Sequence, residues 1–299
     1  MPELPDITVY VDALVPRIVG KELQAIRLAS PFVLRSVSPR VADLVGHRIT
    51  GVTRIGKRIV LALDPDLYAV IHLMVAGRFR WADEPKAKIP GKVGLLAIDV
   101  EGGTLILTEA STKKRASLHL VKGADALAAF DRGGLEPLGS SFEAFKGALT
   151  RERHTLKRAL TDPRLFSGIG NAYSDEILHR AKMSPVTRSD RLDVAQIATL
   201  HRATTEVLTE WIERLRASTG DGFPGKGEVT AFRPEMAVHG KFDQPCPVCG
   251  TKVQRIVYAE NEANYCPRCQ TGGKLLADRS LSRLLKENWP KTIEDLEGR

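Results

Sequence analysis

The chain begins Met1-Pro2-Glu3, an order of residue types that can do covalent chemistry. Initiator methionine is commonly removed when a small residue follows, which would expose the secondary amine of Pro2 beside the Glu3 carboxylate. A terminal α-amine has a reference pKa near ~8, against about 10.4 for a lysine. A secondary amine adding to an aldehyde carbon must give a cationic iminium, an electron sink of the kind that lysine Schiff bases provide. The same residues also fit a plainer reading, in which Pro2 and Pro5 stiffen an extended leader.

A second reactive set lies near the other end. The four cysteines occur as Cys246-Pro-Val-Cys249 and Cys266-Pro-Arg-Cys269, with 16 residues between the pairs. Two CxxC pairs at this spacing predict a zinc site. Four thiolates at about 2.3 Å close a tetrahedron and leave no position for water, so the Zn2+ would be structural. Two disulfides compete, and a reducing compartment disfavours them.

The third set is a glycine turn before a helix, "SGIGNAYSDEILHRAK". Gly168 and Gly170 permit close backbone approach. Asn171 is a favoured N-cap, and Asp175 and Glu176 suit the first turns of a helix. Such a turn is a ready anion site, although an ordinary capped helix has the same pattern.

These groups need elements to position them. Apolar spacing from Asp6 to Ile18 predicts a first helix. Seven β-type stretches follow: Leu23–Leu28, His47–Thr53, Arg58–Leu63, Tyr68–Met74, Leu95–Val100, Leu105–Thr108 and Ala116–Val121. Short, rich in Val, Ile and Leu, and separated by Gly, Pro and Asp, they predict an antiparallel sandwich or barrel. After a turn-rich segment around Gly133–Gly139 the pattern becomes helical over Phe142–Leu149, His154–Leu160, Ala172–Lys182 and Val194–Ala217. The glycine-rich Ser218–Gly227 reads as a flexible loop. Lys252–Tyr258 and Ala263–Tyr265 can form the arms of a hairpin carrying the cysteines, and a further helix is expected in the tail over Leu281–Lys286. The class is α+β.

At 299 residues, 43% hydrophobic and 27% charged, the chain has the size of about two domains and can bury a core. Its formal net charge of +8 favours a polyanionic partner. No apolar run approaches the ~20 residues of a membrane span, and the N-terminus lacks the pattern of a signal peptide. A cytoplasmic, nucleoid-associated protein is expected.

Taken together, "MPELPD", "GKR" at Gly56–Arg58, "HTLKRALTDPRLFSGIGNAYSDEILHRAKMSP" at His154–Pro185 and "HGKFDQPCPVCG…YCPRCQ" resemble the formamidopyrimidine-DNA glycosylase and endonuclease VIII family of base-excision repair enzymes. The resemblance runs nearly end to end. It implies an N-terminal catalytic β-sandwich over 1–130, a helix-two-turn-helix DNA-binding domain over 131–235, a zinc-finger hairpin over 236–272 and a C-terminal extension over 273–299. It also implies a monomer that acts on damaged DNA, duplex or single-stranded. The Pro2 amine would attack C1′, expel the base and form an iminium, and elimination of the 3′ phosphate would nick the strand. Glu3 would be the general acid/base, and Lys57 would orient or eliminate the phosphate. His72, Gly170 and Asn171 would bind DNA, with Lys114 and Arg115 at a loop facing the duplex.

The departures are equally specific. Asp6 stands where the family commonly has Glu. The Met that fills the void left by a flipped base aligns with Val75, with Met74 one place early, and a one-residue slip in a strand reverses the side chain. Lys113-Lys114-Arg115 replaces an Arg-Arg-Phe stretch, and Asn261 replaces an Arg that would give a phosphate a bidentate contact. A chain with its nucleophile intact and its wedge altered suggests lesions already unstacked: single strands, bubbles, bulky adducts or crosslinks. Ordinary oxidised bases are the alternative. A scaffold that binds DNA without cutting it is the rival from another class, and a zinc-ribbon RNA-associated protein is a third.

Overall fold

Helix α1, Leu4–Ile18, presents Ile7, Tyr10, Leu14 and Ile18 on one face, and all four are buried. Each such side chain contributes about 1.5–3 kcal/mol on leaving water. The computed structural model describes residues 1–225, 233–258, 261–277 and 290–297. It contains two compact units, Met1–Arg132 with Glu210–Thr230, and Gly133–Thr209 with Ala231–Arg299.

In the first unit α1 is followed by β1 (Leu23–Leu28), β2 (Ile49–Ile55), β3 (Arg58–Leu63), β4 (Leu67–His72), β5 (Gly77–Ala82), β6 (Gly94–Val100), β7 (Gly103–Glu109), β8 (Ser117–Lys122) and the short helix α2 (Ala124–Ala128). These make two antiparallel four-stranded sheets, β1-β6-β7-β5 and β2-β3-β4-β8. Between them lies one apolar core that includes Ile59, Leu61, Ile71, Phe79, Leu96, Leu107 and Leu118. The expected sandwich is therefore present, with one strand more than the sequence pattern suggested.

That strand is β5, "GRFRWA". Its two arginines, Arg78 half-buried and Arg80 exposed, and its opening glycine hide it from a search for β-branched runs. The strand expected over Tyr68–Met74 instead ends at His72, because Met74 takes a left-handed φ of 52° and turns the chain. Gly77 closes the turn, its amide donating to Leu73 O at 2.8 Å. A Cβ on Gly77 would lie 2.2 Å from that oxygen.

Helix α1 fastens the edges of both sheets. It packs along β2, and the Tyr10 hydroxyl accepts the Phe79 amide of edge strand β5 at 3.2 Å. The Tyr10 and Phe79 rings meet edge to face at 5.5 Å. An edge strand has unpaired amides, so this bond satisfies one that its sheet leaves open.

Chain order continues with α3 (Phe142–Thr150), α4 (Leu156–Thr161), α5 (Asn171–Arg180) and α6 (Val194–Thr219). Helix α6 runs two residues further than the pattern predicted, so Ser218 and Thr219 are helical and the glycine-rich loop starts after them. The cysteine-bearing hairpin is β9 (Gln254–Tyr258) with β10 (Asn261–Tyr265), followed by α7 (Pro267–Thr271). In the tail, Ile293 begins α8 (Ile293–Glu297), is buried, and donates its amide to Gly273 O at 3.0 Å. The helix expected over Leu281–Lys286 lies outside the described residues. No helix among the described residues is long and apolar enough to cross a membrane.

Candidate functional site

The start of α1 is built to hold the N-terminus. Glu3 is the N-cap, and its amide donates to Asp6 Oδ2 at 2.7 Å. Asp6 thus performs the reach-back half of a capping box, and the shorter side chain spans the distance. Pro2, Glu3 and Asp6 are all buried. With Met1 in place the terminal amine belongs to Met1, one residue before the Pro2 nitrogen. Burial, the largest influence, pushes this amine below its usual range. Glu3 and Asp6 oppose the shift, while Arg78 and Lys57 reinforce it. An amine so placed is biased toward its neutral, nucleophilic form.

Lys57 sits in the turn that joins β2 to β3, after Gly56 with a φ of 59°. His72 ends β4, paired across the ladder with Arg58 of β3. Its Nδ1 lies 2.9 Å from the Met74 amide and accepts from it, so the ring's other nitrogen, Nε2, carries the proton. Burial, then Arg58, Lys57 and His119, lowers the His72 pKa to about 4. The ring is neutral at physiological pH and presents an N–H donor. Past it, Val75 stands 59% exposed at the tip of the turn.

A second loop follows β7. Buried Glu109 accepts the amides of Arg115 and Ala116 at 2.8 and 3.0 Å. Lys114 Nζ folds back onto the Glu109 carbonyl, whereas Arg115 remains exposed. Of the two cations expected to face DNA from this loop, Lys114 is drawn back and Arg115 projects.

In the second unit Gly168 takes a φ of 79°. The N-cap of α5 is Gly170, extended at φ −134°, and Asn171 is the first helical residue. This corrects the expected Asn171 cap: with glycine in the extended cap position, the asparagine moves one place into the helix. Asp175 and Glu176 are also more than partners of the helix dipole. Asp175 is fully buried and meets Lys157 Nζ at 2.6 Å, His239 Nδ1 at 2.8 Å and Asn264 Nδ2 at 3.3 Å. Lys157 Nζ also donates to Asn171 O at 2.6 Å, tying the start of α5 to α4. Glu176 accepts the amides of Ala237, Val238 and His239 at 2.8, 2.9 and 2.9 Å. Burial pushes the Glu176 carboxyl up, and the three directed amides act against that shift.

The four cysteine sulfurs lie within 4.8 Å of one another, with Cys249 to Cys266 at 3.4 Å and Cys246 to Cys269 at 4.0 Å. A Zn–S length of about 2.3 Å in a tetrahedron sets sulfur separations near ~3.8 Å, so the set fits one ion. Burial pushes the Cys266 and Cys269 thiols up, and a bound cation removes the cost of ionising them. His179 Nε2 of α5 lies 3.3 Å from Cys246 Sγ, an outer contact of the kind that tunes metal thiolates. Asn261 opens β10 and pairs with Tyr258.

Pro2, Glu3, Lys57, His72, Lys114 and Arg115 thus lie in the first unit, and Gly170, Asn171 and the cysteines in the second. Sequence reasoning missed Arg78, Lys157, Glu109 and His239. Lys157, inside the quoted "HTLKRALTD" stretch, and His239, which opens the quoted "HGKFDQPCPVCG", had a signal that could have drawn attention to them.

Comparisons with known proteins agree along the chain. The formamidopyrimidine-DNA glycosylase N-terminal domain matches residues 1–115, and the H2TH domain of the same enzymes matches 134–221. A zinc finger found in FPG and IleRS matches 243–272. The formamidopyrimidine-DNA glycosylase of Thermus thermophilus is 34% identical over 286 residues, covering 91% of this chain and 100% of the relative. That of Chloroflexus aggregans is 32% identical, covering 90% and 98%. An uncharacterised formamidopyrimidine-DNA glycosylase-like protein of Mycobacterium tuberculosis is 44% identical over 154 residues, or 51% of this chain and 94% of the relative. Among solved structures, MutM in complex with DNA containing carbocyclic 8-oxo-G superposes with a TM-score of 0.77 at 27% identity, covering 90% of this chain and 100% of that one. Lactococcus lactis Fpg with abasic-site DNA gives 0.77 at 27%, covering 90% and 99%.

Proposed function

The chain belongs to the formamidopyrimidine-DNA glycosylase family of base-excision repair enzymes and carries its structural zinc finger, and from that premise we propose that it is a glycosylase and abasic-site lyase whose nucleophile is the Pro2 amine. The observation that supports this reading is the start of α1, where Pro2 and Glu3 are buried beside Asp6 and burial pushes even the preceding Met1 amine below its usual range.

With Met1 removed, the Pro2 nitrogen attacks C1′ as the bond from C1′ to the base breaks, and the base leaves with that electron pair and a proton. Opening of the sugar ring gives the iminium. Loss of the C2′ proton then expels the 3′ phosphate, and water releases the enzyme. Glu3, one residue from the nitrogen, serves as the acid and base on the sugar. Lys57 faces the departing phosphate, and neutral His72 donates Nε2–H to a phosphate without needing to titrate. Arg115 faces the duplex while Lys114, folded back onto Glu109 O, braces the same loop, and Gly170 and Asn171 receive phosphate at the start of α5. The division into a catalytic sandwich, a helical DNA-binding domain, a zinc hairpin and an extension follows from these roles. A monomer is sufficient for them, and a DNA substrate puts the protein in the cytoplasm at the nucleoid.

For substrate we favour lesions already out of the stack. Flipping a nucleotide costs a few kcal/mol, least where the base is damaged or unpaired. Val75 is a small wedge, and Lys114 folds back onto Glu109 O, so little of this chain is suited to filling the void. Activity on single-stranded or bulky lesions no greater than on an 8-oxoguanine duplex would refute the preference.

Borohydride trapping on an oligonucleotide with one abasic site, read by intact mass, tests the chemistry. An adduct in the wild type, lost in Pro2→Gly after absence of Met1 is verified, supports the iminium. No wild-type adduct with DNA still bound returns the chain to the non-catalytic reading.

A further inference from the structure

The register of the sheet β2-β3-β4-β8 sets two arginines and two histidines on one face. Arg58 of β3 stands opposite His72 of β4, and His72 stands opposite Ser117 of β8. Residues directly opposite in an antiparallel pair share a face, so these three form one row. His119 lies two residues along β8 from Ser117 and is on the same face. Past the β8 edge the chain adds a short parallel rung. Leu34 bridges Leu118, the Arg35 amide donates to Leu118 O at 2.9 Å, and the Leu120 amide donates to Ser36 Oγ at 2.8 Å. Arg35 is thereby level with His119, on the face that carries Arg58. The Phe130 ring lies between the two strands' side chains, its centroid 5.7 Å from Arg58 Cζ and 5.1 Å from the centre of the His119 ring.

We infer that this face is a docking surface for a nucleic-acid strand, with Arg58 and Arg35 taking backbone phosphates beyond the nucleotide at Pro2 and His72 marking the end of the path nearest to it. The inference rests on the function proposed above and extends its substrate to the strand that runs away from the lesion.

Three observations carry it. Arg58 is half-buried and Arg35 exposed, and among the described residues no carboxylate forms an ion pair with Arg35, Arg58 or Arg132. Arg58 Nη1 reaches Phe130 O only at 3.5 Å, the weak end of the hydrogen-bond range. A half-buried guanidinium without a counter-ion is unfavourable in the free protein; burial and then Arg132 lower its pKa, and an incoming anion relieves both. The second observation is spacing. From β3 through β4 and β8 to the Arg35 rung there are three interstrand steps of about 4.8 Å, or about 14 Å, which matches separate phosphates of one chain, spaced about 3.4 Å apart along a strand's axis. The third is chemistry. A planar guanidinium fits phosphate oxygens with two donors, and cations interleaved with an aromatic ring are the composition of surfaces that track unpaired strands. His72 and His119 are neutral beside these arginines, each lowered first by burial and then by Arg58, so they add donors to the path without adding to the repulsion.

The test uses the full-length zinc-loaded protein with Arg58→Gln, Arg35→Gln and the double variant. Lys92→Gln, an exposed cation between β5 and β6, is the control. Binding of a single strand carrying a tetrahydrofuran abasic analogue is titrated from about 50 to 250 mM salt. Each single variant should lower the slope of log K against log salt by about 0.7, one phosphate's share on a single strand, and the double variant by about 1.4. Each should weaken binding about tenfold or more, the worth of a charged hydrogen bond, while Lys92→Gln leaves the slope unchanged. In single-turnover trapping, Arg35→Gln should raise the half-saturating DNA concentration and keep the rate at saturation, because it touches no reacting atom. The urea midpoint of Arg58→Gln should equal or exceed the wild type's, since an unpaired half-buried charge is gone. Unchanged slopes in both single variants overturn the inference. So does an equal fall in Lys92→Gln, which would show attraction to the net charge alone. A lower urea midpoint with an unchanged slope assigns Arg58 to packing on Phe130 and overturns it too. Lowered slopes in a protein whose wild type gives no borohydride adduct sink the lyase reading and leave the docking surface standing.

Discussion

Replacing His72 with Asn separates the turn-holding role of this side chain from its titration. Asn keeps an acceptor close to where Nδ1 receives the Met74 amide and removes the ionisable ring. In the folded protein His72 titrates at about 4, lowered by burial first and then by Arg58, Lys57 and His119. In the unfolded chain it titrates near ~6.5. Between those values the unfolded state binds the additional proton, so stability rises with pH across the window. The contribution of the neutral ring is complete above pH ~6.5 and is lost as the pH falls toward 4. Linkage gives a loss of about 1.4 kcal/mol at pH 5.5 and about 2.6 kcal/mol at pH 4.5 from this group alone. Urea unfolding at pH 7.5, 5.5 and 4.5 is followed by tryptophan fluorescence, to which Trp81 of β5 and Trp211 of α6 contribute from the first unit. Zinc is kept saturating, and taking the variant minus wild-type difference cancels cysteine titration common to both. His72→Asn should be the less stable protein at pH 7.5, if either is, and should close the gap by about 2–3 kcal/mol by pH 4.5. Parallel profiles would show that His72 protonates as readily folded as unfolded, and the neutral-donor role assigned to it would fall with that result.

Gly77→Ala should cost about 2 kcal/mol or more, because its Cβ would meet the Leu73 oxygen and neither backbone can yield cheaply. Gly51→Ala, with nothing within 4 Å of the new atom, is the matched control, and equal urea midpoints for the two would refute the packing argument. Glu176→Gln replaces one of two acceptor oxygens by a donor facing amides, leaving at least one of the three unsatisfied at about 1–3 kcal/mol. Hydrogen exchange at residues 237–239 should accelerate, and unchanged protection would deny the carboxylate its anchoring role. Chelating the zinc should abolish amide protection in β9 and β10, since metal binding and folding are coupled in such sites, while the strands of the first unit keep theirs. Persisting hairpin protection without metal would contradict the structural assignment.

What the sequence disclosed depended on how far apart the partners lie. Pro2 with Glu3, and the cysteine pairs, are neighbours in the chain, so residue type and spacing were enough. The apolar runs of β3, β4 and β7 are visible for the same local reason. Lys57 and His72 came through resemblance, because bringing them together needs the β3–β4 register that pairs Arg58 with His72. Asp175 shows the limit most plainly. From the sequence it is a helix residue that suits the dipole. In the structure it is a buried ion whose partners are 18, 64 and 89 positions away. Nothing local distinguishes the two. β5 escaped because Arg78 and Arg80 interrupt the apolar pattern, and the residue that makes Arg78 informative, the N-terminus, is more than seventy positions earlier.

The same geometry decides whether proline chemistry can run at neutral pH. A free secondary amine holds its proton tightly, and Glu3 and Asp6, needed for the sugar and for the helix cap, make that worse by stabilising the ammonium. At the Met1 amine burial outweighs both, and Arg78 and Lys57 act in the same direction as burial, while α1, which carries this end of the chain, is fixed to the sheets at Tyr10. Nucleophile, cap and counter-cation therefore form one electrostatic unit, joined mechanically by the bond from the Phe79 amide to Tyr10. Tyr10→Phe removes that bond without touching any charge. It should slow iminium trapping at pH 6 more than at pH 8, because a loosened pocket readmits water and raises the amine pKa. A uniform loss across pH would place the damage in substrate positioning instead and would separate the frame from the electrostatics it is argued to serve.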